Sequence, residues 1–238
     1  MVALKVSINA IDGEAATTAA VMNVSTPARP HRIPLWLKIA YAAFLAVMIP
    51  AYWINYGPTN FLYFCDVALL FTLVGIWKED ALLISLPAVG ILLPQFIWCA
   101  DFLVQAFGGK LTGMTGYMFD EKLPVLLRGL SLFHGWLPFL LFYLVKKLGY
   151  DRRALAGWFV ICVALCLASF WLLPPAGALL ADPKTPRNIN YVFGMDDMKP
   201  QQWVDPGTYV FLWITVLTAL VFVPTHFLLK NTCKPVTA

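Results

Sequence analysis

Long apolar segments separated by short polar stretches make up the chain from residue 35 onwards. A transmembrane helix needs about 20 consecutive, mainly apolar residues to cross the hydrocarbon core of a bilayer. Six segments approach or exceed that length, so we predict an all-α integral membrane bundle with six transmembrane helices. The predicted spans are residues 35–54, 60–77, 81–106, 128–147, 154–174 and 207–229.

The sequence predicts one membrane domain between an N-terminal arm and a C-terminal tail. Residues 1–33 are rich in Ala, Thr and Ser and lack the apolar core of a signal peptide, so we predict an N-terminal arm that is flexible or lies on the membrane surface. The six-helix domain is predicted over 34–230 and a short cytoplasmic tail over 231–238. Residues 111–127 are only moderately apolar and predict a loop with a short interfacial helix.

Composition supports the membrane class. Hydrophobic residues make up 60% of the chain and charged residues 13%, with a mean hydropathy of +0.73, whereas soluble domains carry about 25% charged residues. The net charge of +4 comes from basic residues in short loops, so topology explains it and we predict no nucleic-acid partner. Lys and Arg concentrate beside the chain ends and around 146–153, which predicts that both termini are cytoplasmic.

Polar side chains interrupt these apolar segments at one predicted depth. Cys65 and Asp66 lie roughly 8–9 Å below the outer end of the second span, from the helical rise per residue. Asp101 lies five residues before the end of the third span, and His134 six residues into the fourth. Ionisable groups inside a membrane segment are costly and indicate a functional site. We therefore predict a polar layer beneath the outer face.

The layer contains the parts of a nucleophilic site. A thiol becomes a strong nucleophile when an imidazole takes its proton, and a carboxylate on the other ring nitrogen would fix the tautomer. Cys65, His134 and either Asp66 or Asp101 supply these parts, with an acyl lipid of the outer leaflet as the natural substrate. The residues predicted to contact the substrate are polar or aromatic and lie in or above this layer: Asn60, Tyr63, Trp98, Ser131, Asn190 and Tyr191.

A structural interpretation stays open beside the enzymatic one. Asp66, Asp101 and His134 are also what an interhelical hydrogen-bond network would use, in which case Cys65 has no catalytic part. The chain would then be a non-catalytic accessory or binding subunit of a larger membrane complex. Membrane lipids are partners in either case. A disulfide between Cys65 and Cys99, which has a similar depth, would disable the nucleophile.

No metal or cofactor is predicted. The five cysteines lack the Cys/His spacing of zinc sites. Haem ligation would require paired inward histidines, whereas His134 and His226 are predicted near opposite faces of the membrane.

Three stretches resemble the YwaF-like polytopic membrane proteins, in the same order along the chain. They are Phe61–Ala68, which reads FLYFCDVA, Phe133–Leu144, which reads FHGWLPFLLFYL, and NYVFG at 190–194, followed by Lys199-Pro200 and by DPGTY at 205–209. That family is similar to the vertebrate ether-phospholipid acyltransferase and, more distantly, to the androgen-induced hydrolases of fatty-acid esters.

The resemblance implies a mechanism and a location. Cys65 would attack a lipid ester, His134 would act as base and then acid, and a lysolipid or water would accept the acyl group. The bacterial members imply the bacterial inner (plasma) membrane. One departure concerns Tyr63, which stands where the hydrolase branch has a threonine, so the hydrolase mechanism does not carry over unchanged.

Overall fold

The computed structural model describes residues 33–180, 182 and 185–236. These residues form helices and contain no β-strand, which confirms the all-α class. The predicted N-terminal arm, as far as residue 32, and the last two residues of the predicted tail lie outside the described residues.

Eight α-helices and four short helical segments follow one another along the described chain. The α-helices are α1 (Leu35–Tyr56), α2 (Phe64–Lys78), α3 (Ala81–Ala106), α4 (Val125–Ser131), α5 (Phe133–Leu148), α6 (Ala154–Leu172), α7 (Pro206–Leu217) and α8 (Val223–Thr232). The short segments are the 3₁₀ turns Pro58–Leu62, Gly116–Phe119 and Ile189–Tyr191 and the π-helical turn Thr218–Phe222.

Five helical stretches of the described chain are long and apolar enough to cross a membrane. Two of them are composite, because α4 continues into α5 and the π-helical turn joins α7 to α8. The third predicted span has the same bounds as α3, and the other predicted ends differ by a few residues. The five stretches are Leu35–Tyr56, Ala81–Ala106, Val125–Leu148, Ala154–Leu172 and Pro206–Thr232.

The second predicted span differs from the structure in its shape. Its first residues form a 3₁₀ turn, and α2 itself has 15 residues, which gives a helix of about 22 Å. This is shorter than the ~30 Å hydrocarbon core. The helix begins late because Pro58 and Asn60 favour a turn, and the composition of 60–77 alone does not show where the helix starts.

Helix α3 lies at the centre of the bundle. It packs against α2, α5, α6 and α8 and is the most buried of the five candidate spans. Asp80 caps its start by accepting a hydrogen bond from the Leu83 amide at 2.9 Å. The chain passes through Pro87 and Pro94 without ending the helix. The helices packed around α3 can therefore place side chains at the same depth of the bundle.

The end of α2 opposite Cys65 is fixed to α1 by a buried ion pair. Lys38 is 4% exposed, and its Nζ lies 2.8 Å from Glu79 Oε1. Glu79 ends α2 in a left-handed conformation with φ of 53°. Because both charges are shielded from water, they need close partners, and Glu79 Oε1 also accepts a hydrogen bond from the Ile33 amide at 3.3 Å. The pair holds α1 beside α2 at the end away from the polar layer.

The turn between α5 and α6 binds the last described residues of the chain. The Tyr150 amide donates to the Lys234 carbonyl at 2.8 Å, and the Val236 amide donates to the Tyr150 carbonyl at 3.3 Å. The Tyr150 hydroxyl lies 2.7 Å from His226 Nδ1. Residues 233–236 of the predicted tail are therefore docked against this turn.

Candidate functional site

The start of α2 places Cys65 and Asp66 in the first turn of a helix. They are its second and third residues. The amides of Asp66 and Val67 bond to the Tyr63 carbonyl at 3.1 and 3.0 Å, whereas the Cys65 amide has no acceptor among the described residues. Unpaired N–H groups at a helix N-terminus carry positive partial charge. The thiol therefore lies beside N–H groups at the N-terminus of α2.

The loop before α7 supplies the cap of α2. Asn190 Oδ1 accepts a hydrogen bond from the Phe64 amide at 3.1 Å, and Asn190 Nδ2 donates to the Leu62 carbonyl at 3.0 Å. Trp213 of α7 donates its indole N–H to the Asn190 carbonyl at 2.8 Å. The predicted substrate contact Asn190 is therefore committed to joining this loop, α2 and α7.

The backbone of this loop is strained where it meets α2. Asn188, Asn190 and Tyr191 have φ of 52°, 60° and 58°, a region that costs non-glycine residues roughly 1–2 kcal/mol each. Such strain persists only where surrounding contacts hold it, and the bonds of Asn190 provide them. The Tyr191 phenol lies close enough to Cys65 to interact with it electrostatically.

Asp66 is buried and only half satisfied. It is 3% exposed, and its Oδ2 accepts a hydrogen bond from Asn60 Nδ2 at 2.9 Å. Its Oδ1 has no hydrogen-bond partner among the described residues. The predicted substrate contact Asn60 therefore holds this carboxyl group, and the Tyr63 phenol lies near both Asp66 and Cys65.

A backbone carbonyl, and not a carboxylate, orients the His134 ring. His134 Nδ1 lies 2.8 Å from the Ser131 carbonyl oxygen. Because a carbonyl oxygen only accepts, Nδ1 carries the hydrogen and Nε2 of the neutral ring is the free basic nitrogen. The ring stacks between Trp98 and Phe133, at centroid distances of 5.0 and 4.0 Å. The structure therefore corrects the role predicted for Asp66 or Asp101 as the partner of this histidine.

Asp101 anchors the loop that follows α3. Its Oδ1 accepts hydrogen bonds from the amides of Thr112 and Gly113 at 2.6 and 2.9 Å. Its Oδ2 accepts from the Thr115 amide and hydroxyl at 2.9 and 2.6 Å. Four donors satisfy this carboxylate, so the predicted catalytic residue Asp101 acts as a structural anchor.

The anchored loop brings a tyrosine into the layer. Tyr117, in the 3₁₀ turn Gly116–Phe119, lies close to Trp98, Ser131 and Cys65. Ser131 Oγ also lies 2.6 Å from the Tyr52 hydroxyl of α1. Sequence reasoning missed both tyrosines, because aromatic residues near span ends are usual in membrane proteins. A buried tyrosine needs a partner for its hydroxyl, but the sequence does not show which tyrosines are buried.

No hydrogen bond joins the Cys65 thiol to the His134 ring among the described residues. Tyr117 lies near Cys65 on one side and near two residues that contact His134 on the other. All five cysteines are free, so no Cys65–Cys99 disulfide is present. The Cys99 thiol instead approaches the His134 carbonyl at 3.7 Å.

A groove of ≈ 620 Å³ runs between α6 and the composite helix of α7 and α8. Its lining is almost entirely apolar and includes Val163, Leu167, Phe211 and Ile214. Cys65 and His134 do not line it. Within the described part of the chain, no group of three metal-binding side chains occurs either.

Comparison of the chain with protein-family models, curated proteins and solved structures finds no match.

Proposed function

We propose that the chain is a membrane-embedded enzyme that transfers or hydrolyses lipid acyl groups through Cys65. The observation that supports this most directly is the position of the thiol beside its own unpaired amide in the first turn of α2. An N–H group placed there can stabilise the oxyanion that forms when a thiolate attacks an ester carbonyl. The half-buried phenols of Tyr63 and Tyr191 near the thiol limit access of bulk water.

In this proposal, His134 is the base for the first half-reaction. Its Nε2 takes the thiol proton through the Tyr117 hydroxyl, which lies near Cys65 and near the residues that contact the ring. The thiolate attacks the ester carbonyl, the proton passes to the leaving oxygen, and a thioester on Cys65 remains. A hydroxyl group then accepts the acyl chain.

The site also has a proposed position in the membrane. On the three stretches that resemble them, we propose that the chain is related to the YwaF-like membrane proteins. We take α2, extended by the 3₁₀ turn Pro58–Leu62, as a sixth and short span, with both termini cytoplasmic. The polar layer then faces the outer leaflet of a bacterial inner membrane, and membrane lipids are donor and acceptor.

A second candidate is a non-catalytic accessory or binding subunit of a membrane complex. The observation that favours it is that several predicted site residues are already engaged. Asp101 holds a loop, Ser131 bonds to Tyr52 of α1, and Asn190 caps α2. Such a network would stabilise the bundle without any reaction.

Trapping of an acyl-enzyme separates the two candidates. The full chain would be purified in nanodiscs of diacyl phospholipid and its intact mass measured, with hydroxylamine treatment to identify a thioester. We expect wild type to carry an acyl adduct that Cys65→Ser lacks and that His134→Ala forms more slowly. Cys99→Ser is the matched control, because this thiol contacts α5 and has no part in the proposed reaction.

Absence of any adduct from wild type, together with an unchanged lipid profile of host membranes across these variants, would contradict the enzymatic proposal and support the accessory candidate.

A further inference from the structure

Three buried polar atoms in the outer half of α2 and α3 have no hydrogen-bond partner among the described residues. They are Asp66 Oδ1, Gln95 Oε1 and Trp98 Nε1. Their residues are 3%, 3% and 6% exposed. Buried polar atoms in native proteins are nearly always paired, so unpaired ones require a water molecule or a ligand as partner. Unpaired atoms on two helices that pack against each other indicate a place where a polar ligand binds.

The antiparallel packing of α2 and α3 places these atoms at similar depths. Asp66 lies 12 residues before the end of α2, and Gln95 lies 14 residues after the start of α3. These separations correspond to about 18 and 21 Å along the two helices. Trp98 is one turn further along α3 and stacks on His134. The unpaired atoms therefore lie at the level of Cys65 and His134.

The chemistry of Asp66 limits what this ligand can be. Asn60 holds Oδ2 at 2.9 Å, which leaves Oδ1 as a fixed acceptor without a donor. Gln95 Oε1 is a second unpaired acceptor. Oδ1 as an acceptor requires a ligand that donates a hydrogen bond, and the buried surroundings favour a neutral group over an ion. A neutral hydroxyl group satisfies both conditions.

We infer that Asp66 Oδ1 binds and deprotonates the hydroxyl group that accepts the acyl chain. This inference rests on the proposed function. The hydroxyl proton moves to Asp66 Oδ1 as the hydroxyl oxygen attacks the thioester carbonyl on Cys65. The carbon–sulfur bond breaks, the new ester leaves, and the proton passes from Asp66 to the thiolate. His134 then serves the first half-reaction and Asp66 the second.

The two half-reactions can be measured separately on the full chain in nanodiscs. Diacyl phospholipid first loads Cys65, and intact mass gives the rate at which the adduct forms. Loss of the adduct is then followed with a lysophospholipid that has a free glycerol hydroxyl and, in a second arm, with water alone. The variants are Asp66→Asn, which keeps the size of the side chain, and Asp66→Glu, which keeps the carboxylate.

We expect Asp66→Asn to slow loss of the adduct by about a hundredfold, the scale of general base catalysis, and to slow its formation much less. Asp66→Glu should restore part of the loss rate, which a merely structural role would not require. Faster loss with lysophospholipid in wild type identifies an alcohol as acceptor, and equal rates identify water. With either acceptor, slower loss of the adduct from Asp66→Asn than from wild type supports the inference.

Two outcomes would overturn it, and they differ from each other. If Asp66→Asn loses the adduct as fast as wild type, the role of Asp66 is wrong while the acyl-enzyme stands. If wild type never forms the adduct, the proposed function fails and this inference fails with it. Thermal unfolding of each variant shows whether a slow rate reflects a misfolded chain.

Discussion

The Asp101 side chain holds amides of the loop that follows α3. Both oxygens accept hydrogen bonds, and the donors lie 11 to 14 residues away. An asparagine in its place would present N–H groups to N–H donors. We therefore expect Asp101 to stabilise the fold and to hold the loop that carries Tyr117 in place.

We expect Asp101→Asn to lower the free energy of unfolding by about 1.5–3 kcal/mol, the range for hydrogen bonds to a charged group. Thermal unfolding in detergent checks this. Asp120→Asn is the control, because Asp120 is exposed and accepts one local bond from the Lys122 amide. Equal midpoints for Asp101→Asn and the control would show that the loop is not anchored in this way.

At the scale of elements, the contact between α3 and α6 depends on a missing side chain. A Cβ atom at Gly90 of α3 would lie 1.8 Å from Cε2 of Trp158 on α6. Trp158 is fully buried and cannot turn away. The two helices therefore approach closely only because position 90 is glycine, which allows backbone and ring to meet.

Gly90→Ala should destabilise the bundle by about 1–3 kcal/mol, as overpacking of a core does. Gly129→Ala is the matched control, because a Cβ at Gly129 of α4 would meet nothing within 4 Å and alanine is the better helix former by about 1 kcal/mol. Unfolding in detergent compares the two. A Gly90→Ala variant as stable as Gly129→Ala would rule out the close packing.

The turn between α5 and α6 contributes a pH-dependent element outside the spans. The Asp151 amide donates to Ser85 Oγ of α3 at 3.0 Å. The Arg153 guanidinium lies 2.7 Å from Asp151 Oδ2, and its hydrogen bonds lower the pKa of Asp151 below its usual value. Because the folded-state pKa is lowered, this interaction stabilises the fold above the unfolded-state pKa of about 3.9. The stabilisation disappears as the pH falls through the folded-state pKa.

We therefore expect Arg153→Gln to lower the unfolding midpoint at pH 7, and the difference from wild type to shrink as the pH falls below about 4. Lys122→Gln, a change of an exposed cation whose side chain forms no ion pair among the described residues, should show no such pH-dependent difference. Thermal scans of the three proteins across this pH range test the expectation, which a constant difference at every pH would contradict.

At the scale of the whole molecule, the position of α2 decides which side the polar layer faces. Five stretches meet the length of a span, whereas α2 has 15 residues. A sixth, short span would return the chain to the side from which it started. Cys65 would then lie beneath the face opposite the turn that contains Tyr150.

Site-directed labelling tests this topology. In intact cells, a membrane-impermeant maleimide should label a cysteine placed at Lys122 and should label one placed at Lys147 only after permeabilisation, with the native cysteines replaced by serine or alanine. The opposite pattern would invert the proposed orientation. Labelling of both positions from one side would contradict an odd number of crossings between them.

Much of this molecule follows from its sequence. The apolar segments determined the all-α membrane class and the bounds of α3, because the length needed to cross a bilayer is a property of composition alone. The same helical rise placed Cys65, Asp66 and His134 at one predicted level. The depth of a residue in the membrane follows from its position along a helix, even when the packing of the helix faces is unknown.

Only the tertiary structure decided the partners of these polar groups. Asp101 is bound by a loop, His134 by the Ser131 carbonyl, and α2 is capped by Asn190 from 126 residues away. Tyr117 enters the layer for the same reason, since its turn is positioned by Asp101. A hydrogen bond requires a donor and an acceptor at the right distance and angle. Backbone groups of loops far away in the sequence supply these partners, and the hydrophobic pattern of the sequence does not show which loops come close.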